Sequence, residues 1–167
     1  MITKSNPADL ERIMDIVHRC TDHLNQLGID QWNEYYPTTE LVGGDIALGN
    51  VYVYREDGCI LGLITLGDTQ PAEYEEIPWS TGNTVSVLTI YRLAVDPSWQ
   101  GRGIAKKLIA YAEQIARNRS FSCIRMDCYT KNRRAYELYR HLQYELKGTV
   151  IFPHTHVPFY CLEKVIS

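Results

Sequence analysis

The chain has 167 residues, 45% apolar and 22% charged, and its 17 Lys and Arg against 20 Asp and Glu leave a net charge of −3. That size suits one domain spanning 1–167 with a real core, and an acidic balance argues against a whole-surface nucleic-acid binder. The five cysteines are odd in number and scattered, with no C-x-x-C pair, and no stretch reaches the length of a membrane span, so the reading is a cytoplasmic chain with no disulfide framework, no membrane contact and no metal.

The first element is predicted as a helix. Asn6 stands as N-cap and Pro7 at the first helical position, Leu10, Ile13, Met14, Val17, Thr21, Leu24 and Leu27 recur at helical spacing, and Gly28 ends the run. A shorter helical region with loops follows over residues 29–50. VYVYRED and CILGLITLGD then read as a hairpin turning at Glu56-Asp57-Gly58. Residues 69–83 are loop-like, with Pro71, Pro78 and Gly82, and TVSVLTIYRLAVDP is a long strand rich in β-branched residues. The next helix puts Ile104, Leu108, Ile109, Ala112, Ile115 and Ala116 on one face. FSCIRMDCY is a strand, NRRAYELYRHL a short helix, and the C-terminal stretch two strands around a loop holding Pro153 and Pro158. A strand–helix–strand unit flanked by hairpins implies a mixed sheet with helices on its faces.

Between the long strand and its helix lies PSWQGRGIAKK, where Gln100, Gly101 and Gly103 fall within four residues. The first N–H groups of a helix have no internal partner, and the helix dipole adds positive charge there. Glycine removes the Cβ that would hold an anion off the backbone. The stretch matches neither a Walker loop nor a dinucleotide fingerprint. On the glycines alone, a plain turn and a phosphate seat are both open. Arg102, Lys106, Lys107, Lys131, Arg133 and Arg134 fall in two windows, each at the start of a helix that follows a strand. Such a focus on an acidic protein favours anion binding over solvated helix faces.

LAVDPSWQGRGIAKKLI resembles the acyl-CoA-binding motif of the GNAT family of N-acetyltransferases, [QR]-x-x-G-x-[GA], with Gln100, Gly103 and Ala105 at its fixed positions. NRRAYELYRHLQY is similar to the family's next motif, which Asn132, Ala135 and Tyr139 fill. The likeness is good over residues 50 to 165 and looser before. One departure is Gln143, where the family usually has Gly before an aromatic, here Tyr144.

The resemblance implies an α+β acyl-CoA N-acyltransferase fold: a mostly antiparallel mixed sheet of six or seven strands, a splayed central strand pair and helices on both faces. It implies acetyl-CoA as cofactor, its pantetheine arm against Leu93, Ala94 and Val95. The pyrophosphate would rest on the amides of Gln100, Gly101, Arg102, Gly103, Ile104 and Ala105, with Asn132, Ala135 and Tyr139 completing the cofactor site. A primary amine (a small molecule, amino acid or peptide terminus) would attack the thioester directly. Tyr139 matches the family's general acid, its alternative being a core aromatic. Asp127 is the candidate base, its alternative a structural carboxylate bonded to Arg92 or Arg125; Glu75 or Glu76 could serve instead. Trp32, Tyr35, Tyr36, Tyr74 and Trp79, with the two glutamates, fall in segments that wall the acceptor pocket in relatives; as aromatics in loops, the five are either substrate walls or plugs over the sheet. His154 and His156 are too few for a metal site, and Cys123 and Cys128 read as buried, unreactive thiols. A non-catalytic acyl-CoA-binding sensor is the competing function, and a homodimer is left open.

Overall fold

The structure is a computed structural model that describes residues 1–167. The elements in chain order are β1 (Ile2–Lys4), α1 (Leu10–Gln26), α2 (Thr39–Ala47), β2 (Val51–Glu56), β3 (Cys59–Gly67), β4 (Val87–Val95), α3 (Ile104–Asn118), β5 (Cys123–Tyr129), α4 (Arg133–His141), β6 (Glu145–Val150) and β7 (Phe159–Val165). Three-residue 3-10 turns precede α1 and α3, and a five-residue one covers Ala72–Glu76. The seven strands run β1-β2-β3-β4-β5-β7-β6, with the β1–β2, β2–β3, β5–β7 and β6–β7 pairs antiparallel and β4–β5 parallel. No helix is long and apolar enough to cross a membrane.

The chain forms two compact units, Met1–Leu66 with Arg92–Ala112, and Gly67–Tyr91 with Glu113–Ser167. It passes between them at the end of β3, within β4 and within α3, so each unit is built from two chain segments.

In the first unit the expected start of α1 is present with an added turn. The Asn6 side chain accepts from the Ala8 amide at 2.9 Å and Asp9 accepts from the Asn6 amide at 2.9 Å, a reciprocal cap that turns Pro7–Asp9 as 3-10 before the helix proper. Ile13, Met14, Ile16, Val17 and Cys20 of α1 pack with Val42 and Ile46 of α2 against Val51, Val53, Leu63 and Ala94. The hairpin turns with Asp57 and Gly58 both at positive φ, as its sequence suggests. On the opposite face of the sheet, Gly62 lies under Ile104 and Leu108 of α3, where an added Cβ would come within 3.1 Å of Ile104.

In the second unit β4 pairs with β5 in parallel over Val87–Ile90 and Cys123–Met126. The ladder ends there, while β4 runs on to Val95 and β5 to Tyr129. β5 also pairs with β7 along its whole length, Asp127 opposite Cys161 and Cys128 opposite Tyr160. Cross-strand partners share a face, which sorts the residues of β5. Asp127 looks toward the face where Cys161 packs with Tyr74, Ile77 and Trp79. Cys128 looks toward the other, where Tyr136 of α4 stacks on Tyr160 at 4.5 Å. Beneath Trp79, whose ring lies 4.3 Å from its guanidinium, Arg125 is 1% exposed and pairs with the equally buried Glu163 at 3.0 Å.

Candidate active site

In the first unit the turn after β4 is held from below. Asp96, 1% exposed, accepts Arg12 at 2.7 Å, Arg19 at 2.8 Å and the Ser98 amide at 3.0 Å. Burial acts to raise its pKa, but these donors outweigh it and hold the carboxyl below its usual range. The Val95 carbonyl receives Gln100 Nε2 at 3.1 Å and Cys20 Sγ at 3.2 Å. Gly101 and Gly103 both lie in the left-handed region, φ 78° and 80°, and a Cβ on either would meet nothing within 4 Å. Both glycines therefore serve a backbone shape that L side chains resist, beside open space.

The Lys107 amide reaches the Gly103 carbonyl at 3.1 Å, so the amides ahead of it precede the helical ladder. No acidic residue sits in the first turn of α3 to compete for them. The Arg102 guanidinium lies over Trp99 at 4.4 Å, and Lys107 Nζ reaches the Tyr54 hydroxyl at 3.3 Å. Leu93 is half-buried, and Ala94 and Val95 are buried. The turn from Gln100 through Arg102 and Ile104 to Ala105 is thus a strand-to-helix corner with open space beside both glycines.

The second unit carries the other motif. Asn132 caps α4, accepting from the Ala135 amide at 3.1 Å, which accounts for the Asn-x-x-Ala spacing. Tyr139 is 9% exposed. Burial first, then the neighbouring Cys128 and Asp127, raise its phenol well above the ordinary value, so it stays protonated at neutral pH. Asp127 is half-buried, and Oδ2 accepts the Tyr74 hydroxyl at 2.6 Å. Burial pushes its pKa up to about 6 against the lowering effect of that hydrogen bond, with Glu73 adding to the rise. Neither arginine that could have made Asp127 a structural carboxylate is engaged with it. Arg92 binds Asp45 and the Tyr36 hydroxyl, and Arg125 binds Glu163.

The aromatic residues read as acceptor-pocket walls separate into two kinds. Trp32 is 8% exposed within the α1–α2 core, and Trp79 is 6% exposed, donating Nε1 to the Tyr74 carbonyl at 2.8 Å. Both pack in the cores, the plug reading of the two that the sequence leaves open. Tyr35 is 79% exposed, Tyr36 is half-buried on Arg92, and Glu75 and Glu76 are exposed. His154 and His156 lie in the turn between β6 and β7, not on a strand, with His154 stacked on Phe152. Cys123 and Cys128 are buried, and burial raises both thiols, Cys128 to about 12. A cavity of about 420 Å³ opens between the end of α4 and β6–β7, lined among others by Arg140, Lys147 and Lys164, and none of Asp127, Asn132 or Tyr139 lines it.

Two features have no counterpart among the sequence expectations. The Tyr74–Asp127 pair spans 53 residues, and no local pattern announces it. The cluster of buried Arg92 with half-buried Asp45 and Tyr36 had a signal, an arginine inside the apolar run TIYRLAV.

The chain is 25% identical over 142 residues, 84% of its length and 78% of the other's, to the uncharacterized N-acetyltransferase YesJ of Bacillus subtilis (strain 168). Among solved structures it resembles the GNAT-family acetyltransferase from Streptococcus agalactiae 2603, with a TM-score of 0.86 at 23% identity over 100% of this chain and 95% of that one. It also resembles yncA of Salmonella typhimurium, solved with its cofactor acetyl-CoA, with a TM-score of 0.74 at 16% identity over 100% and 94%. The family model described as acetyltransferase (GNAT) family matches residues 11–144, a span that holds both motifs, the open turn and the capped helix: the chain belongs to that family and is an N-acetyltransferase.

Proposed function

We propose that this enzyme moves the acetyl group of acetyl-CoA to a primary amine (a small molecule, an amino acid or a peptide terminus) by direct attack of the amine on the thioester. The observation that carries the reading is the corner at Gln100–Ala105. Two glycines at positive φ, open space where their side chains would be, and a helix start free of acidic residues make a seat for a diphosphate. Acetyl-CoA supplies, when bound, an activated acyl group and a thiolate leaving group.

The chain's own residues do the rest. The amides from Gln100 to Ala105 hold the diphosphate, with Arg102 adding charge. The backbone of Leu93, Ala94 and Val95, in the part of β4 beyond its ladder to β5, pairs with the pantetheine arm as an added strand would. Asn132 and Ala135 shape the start of α4. An alkylamine with a pKa of about 10 arrives protonated, and a carboxylate titrating near 6 is ionised at neutral pH to take that proton; Asp127 fills this role. As the nitrogen bonds to the acyl carbon and the C–S bond breaks, Tyr139 would give its proton to the sulfur and be reprotonated from water, the second nitrogen proton leaving to water on the Asp127 side. Asp127 and Tyr139 approach from opposite faces of β5, base on the Tyr74 side and acid on the α4 side. That division suits a nucleophile and a leaving group on opposite sides of one carbonyl.

The test is free-thiol release from acetyl-CoA across a panel of primary amines, with coenzyme A affinity measured by calorimetry. Amine-dependent release with micromolar coenzyme A binding is expected. Tight binding without turnover on any amine would favour a non-catalytic sensor, and no binding would overturn the seat at Gln100–Ala105.

A further inference from the structure

We propose that Tyr74 is a positioning residue for the reaction: its hydroxyl, 2.6 Å from Asp127 Oδ2, fixes the carboxylate so that Oδ1 faces the acceptor ammonium. The inference rests on Asp127 as the base and adds the residue through which that base is aimed.

Tyr74 is built to hold still. It is 2% exposed, and its amide donates to the Pro71 carbonyl at 3.0 Å, closing the Ala72–Glu76 turn. Its own carbonyl accepts Trp79 Nε1 at 2.8 Å, and the two rings meet at 5.2 Å. Trp79 in turn covers the Arg125 guanidinium, which is anchored by Glu163 and Thr81. The phenol is therefore set by a chain of buried contacts that ends in a buried ion pair. That support delivers one donor to one carboxylate oxygen. A hydroxyl that satisfies Oδ2 leaves Oδ1 as the free acceptor and prevents the carboxyl from rotating.

The titratable and charged groups around Asp127 come from every neighbouring element. They are Tyr74 and Glu73 on the 3-10 turn, Cys128 beside it, Cys161 opposite on β7, Tyr139 on α4 and, next to Tyr74, Tyr91 on β4. Burial pushes the Cys128 and Cys161 thiols up to about 12 and raises the Tyr74 and Tyr139 phenols above their ordinary value of 10, so these four groups keep their charge near pH 6. Glu73 is the one neighbour whose charge raises Asp127, and the Tyr74 hydrogen bond is the one interaction that lowers it. Removing the hydroxyl must then raise the Asp127 pKa, because a donor to the charged form favours that form.

The experiment is a pair of variants, Tyr74→Phe and Asp127→Asn, read in two ways. The first is ¹³C-carboxyl titration of Asp127 in the free enzyme. The second is the acid limb of kcat/KM for thiol release from acetyl-CoA with an equimolar mixture of primary amines. In Tyr74→Phe the titration and the limb should both move up by about one pH unit, with kcat down about tenfold or more and KM for acetyl-CoA unchanged. An unmoved titration and limb, with Asp127→Asn still inactive, overturns the role of Tyr74 and leaves Asp127 as base. Wild-type turnover and an unchanged limb in Asp127→Asn overturn the base reading itself. Should Tyr74→Phe lose its near-ultraviolet dichroism, the wild-type protein decides: a Tyr74 hydroxyl proton resonance that shifts with the Asp127 titration supports the proposal, and one that is indifferent to it defeats it.

Discussion

Gln100 Nε2 donates to the Val95 carbonyl at 3.1 Å, so the first residue of the glycine-rich turn is tied to the last residue of β4. With Cys20 Sγ on the same oxygen at 3.2 Å, the strand end and the turn move as one piece. The turn's open side is then a fixed feature, and Gly103 at φ 80° lies on it. Gly103→Glu adds bulk, a negative charge and a strained φ at the proposed diphosphate seat. Coenzyme A affinity should fall by about 100-fold or more, the cost of several charge-assisted contacts of roughly 1.5–3 kcal/mol each. Calorimetry measures this directly, and an unchanged Kd would remove the turn from the cofactor site.

Tyr139→Phe removes one oxygen from a side chain that is 9% exposed and in ring contact with Tyr144. The shape of the site is kept, so cofactor Kd should stay within about twofold while kcat falls by about 10²-fold, in the usual range for a general acid. Full activity in this variant would return Tyr139 to the packing role that its position on an amphipathic helix also allows.

At the end of α4, Gln143 takes φ 69° and donates its amide to the Arg140 carbonyl at 3.0 Å. The next residue, Tyr144, donates its amide to the Tyr139 carbonyl at 3.0 Å. This is the left-handed helix ending that glycine normally occupies. The family's glycine position therefore keeps its backbone shape here although the residue has changed, with the fully buried Tyr144 anchoring the start of β6. Gln143→Gly should relieve about 1 kcal/mol of left-handed strain, partly offset by the greater freedom of glycine in the unfolded chain. A rise in Tm of about 1–4 °C is expected for a chain of this length, and a fall would mean that the Gln143 side chain contributes more than its backbone costs.

Much of this was legible because it is local. The Asn6 cap, the Asp57-Gly58 turn, the β-branched run of β4 and the spacing Gln100, Gly103, Ala105 all lie within a few residues of the structure they determine. The order of elements then implied the mixed sheet, and the family resemblance added its mostly antiparallel pairing. The features that stayed hidden depend on partners far along the chain. Ile2–Lys4 is a strand only because Tyr52–Tyr54 lies beside it, and its own three residues carry no period. Arg125 and Glu163 neutralise each other across 38 residues, so neither shows its burial in its surroundings. Trp32 and Trp79 sit in loop-like sequence, and only the completed cores explain why they are covered. Asp127 was visible as a carboxylate near the motif, but its donor Tyr74 comes from a five-residue turn too short to have a pattern.

Asp127 also makes a claim on stability that runs opposite to that of Asp9, Asp96 and Glu163, whose pKa values are lowered. Its folded pKa is raised from 3.8 to about 6, burial being the main cause. The folded state therefore binds a proton more tightly than the unfolded one. Keeping Asp127 ionised thus destabilises the fold fully above about pH 6, and the penalty fades as pH falls toward the unfolded value. Asn at this position carries no charge to desolvate and its side-chain oxygen still accepts the Tyr74 hydroxyl. Asp127→Asn should accordingly be more stable than wild type by about 1–3 kcal/mol at pH 7.5, with the difference vanishing near pH 4, while turnover is lost. Asp96 and Glu163, whose pKa values are lowered by Arg12 and by Thr81 with Arg125, titrate identically in both proteins and cancel in the comparison. Urea unfolding of the two proteins at both pH values measures the difference. A variant that gains activity-independent stability only at the higher pH marks Asp127 as a group whose ionisation the fold opposes and the chemistry requires, whereas equal stability at pH 7.5 would show that the carboxylate is solvated and not poised.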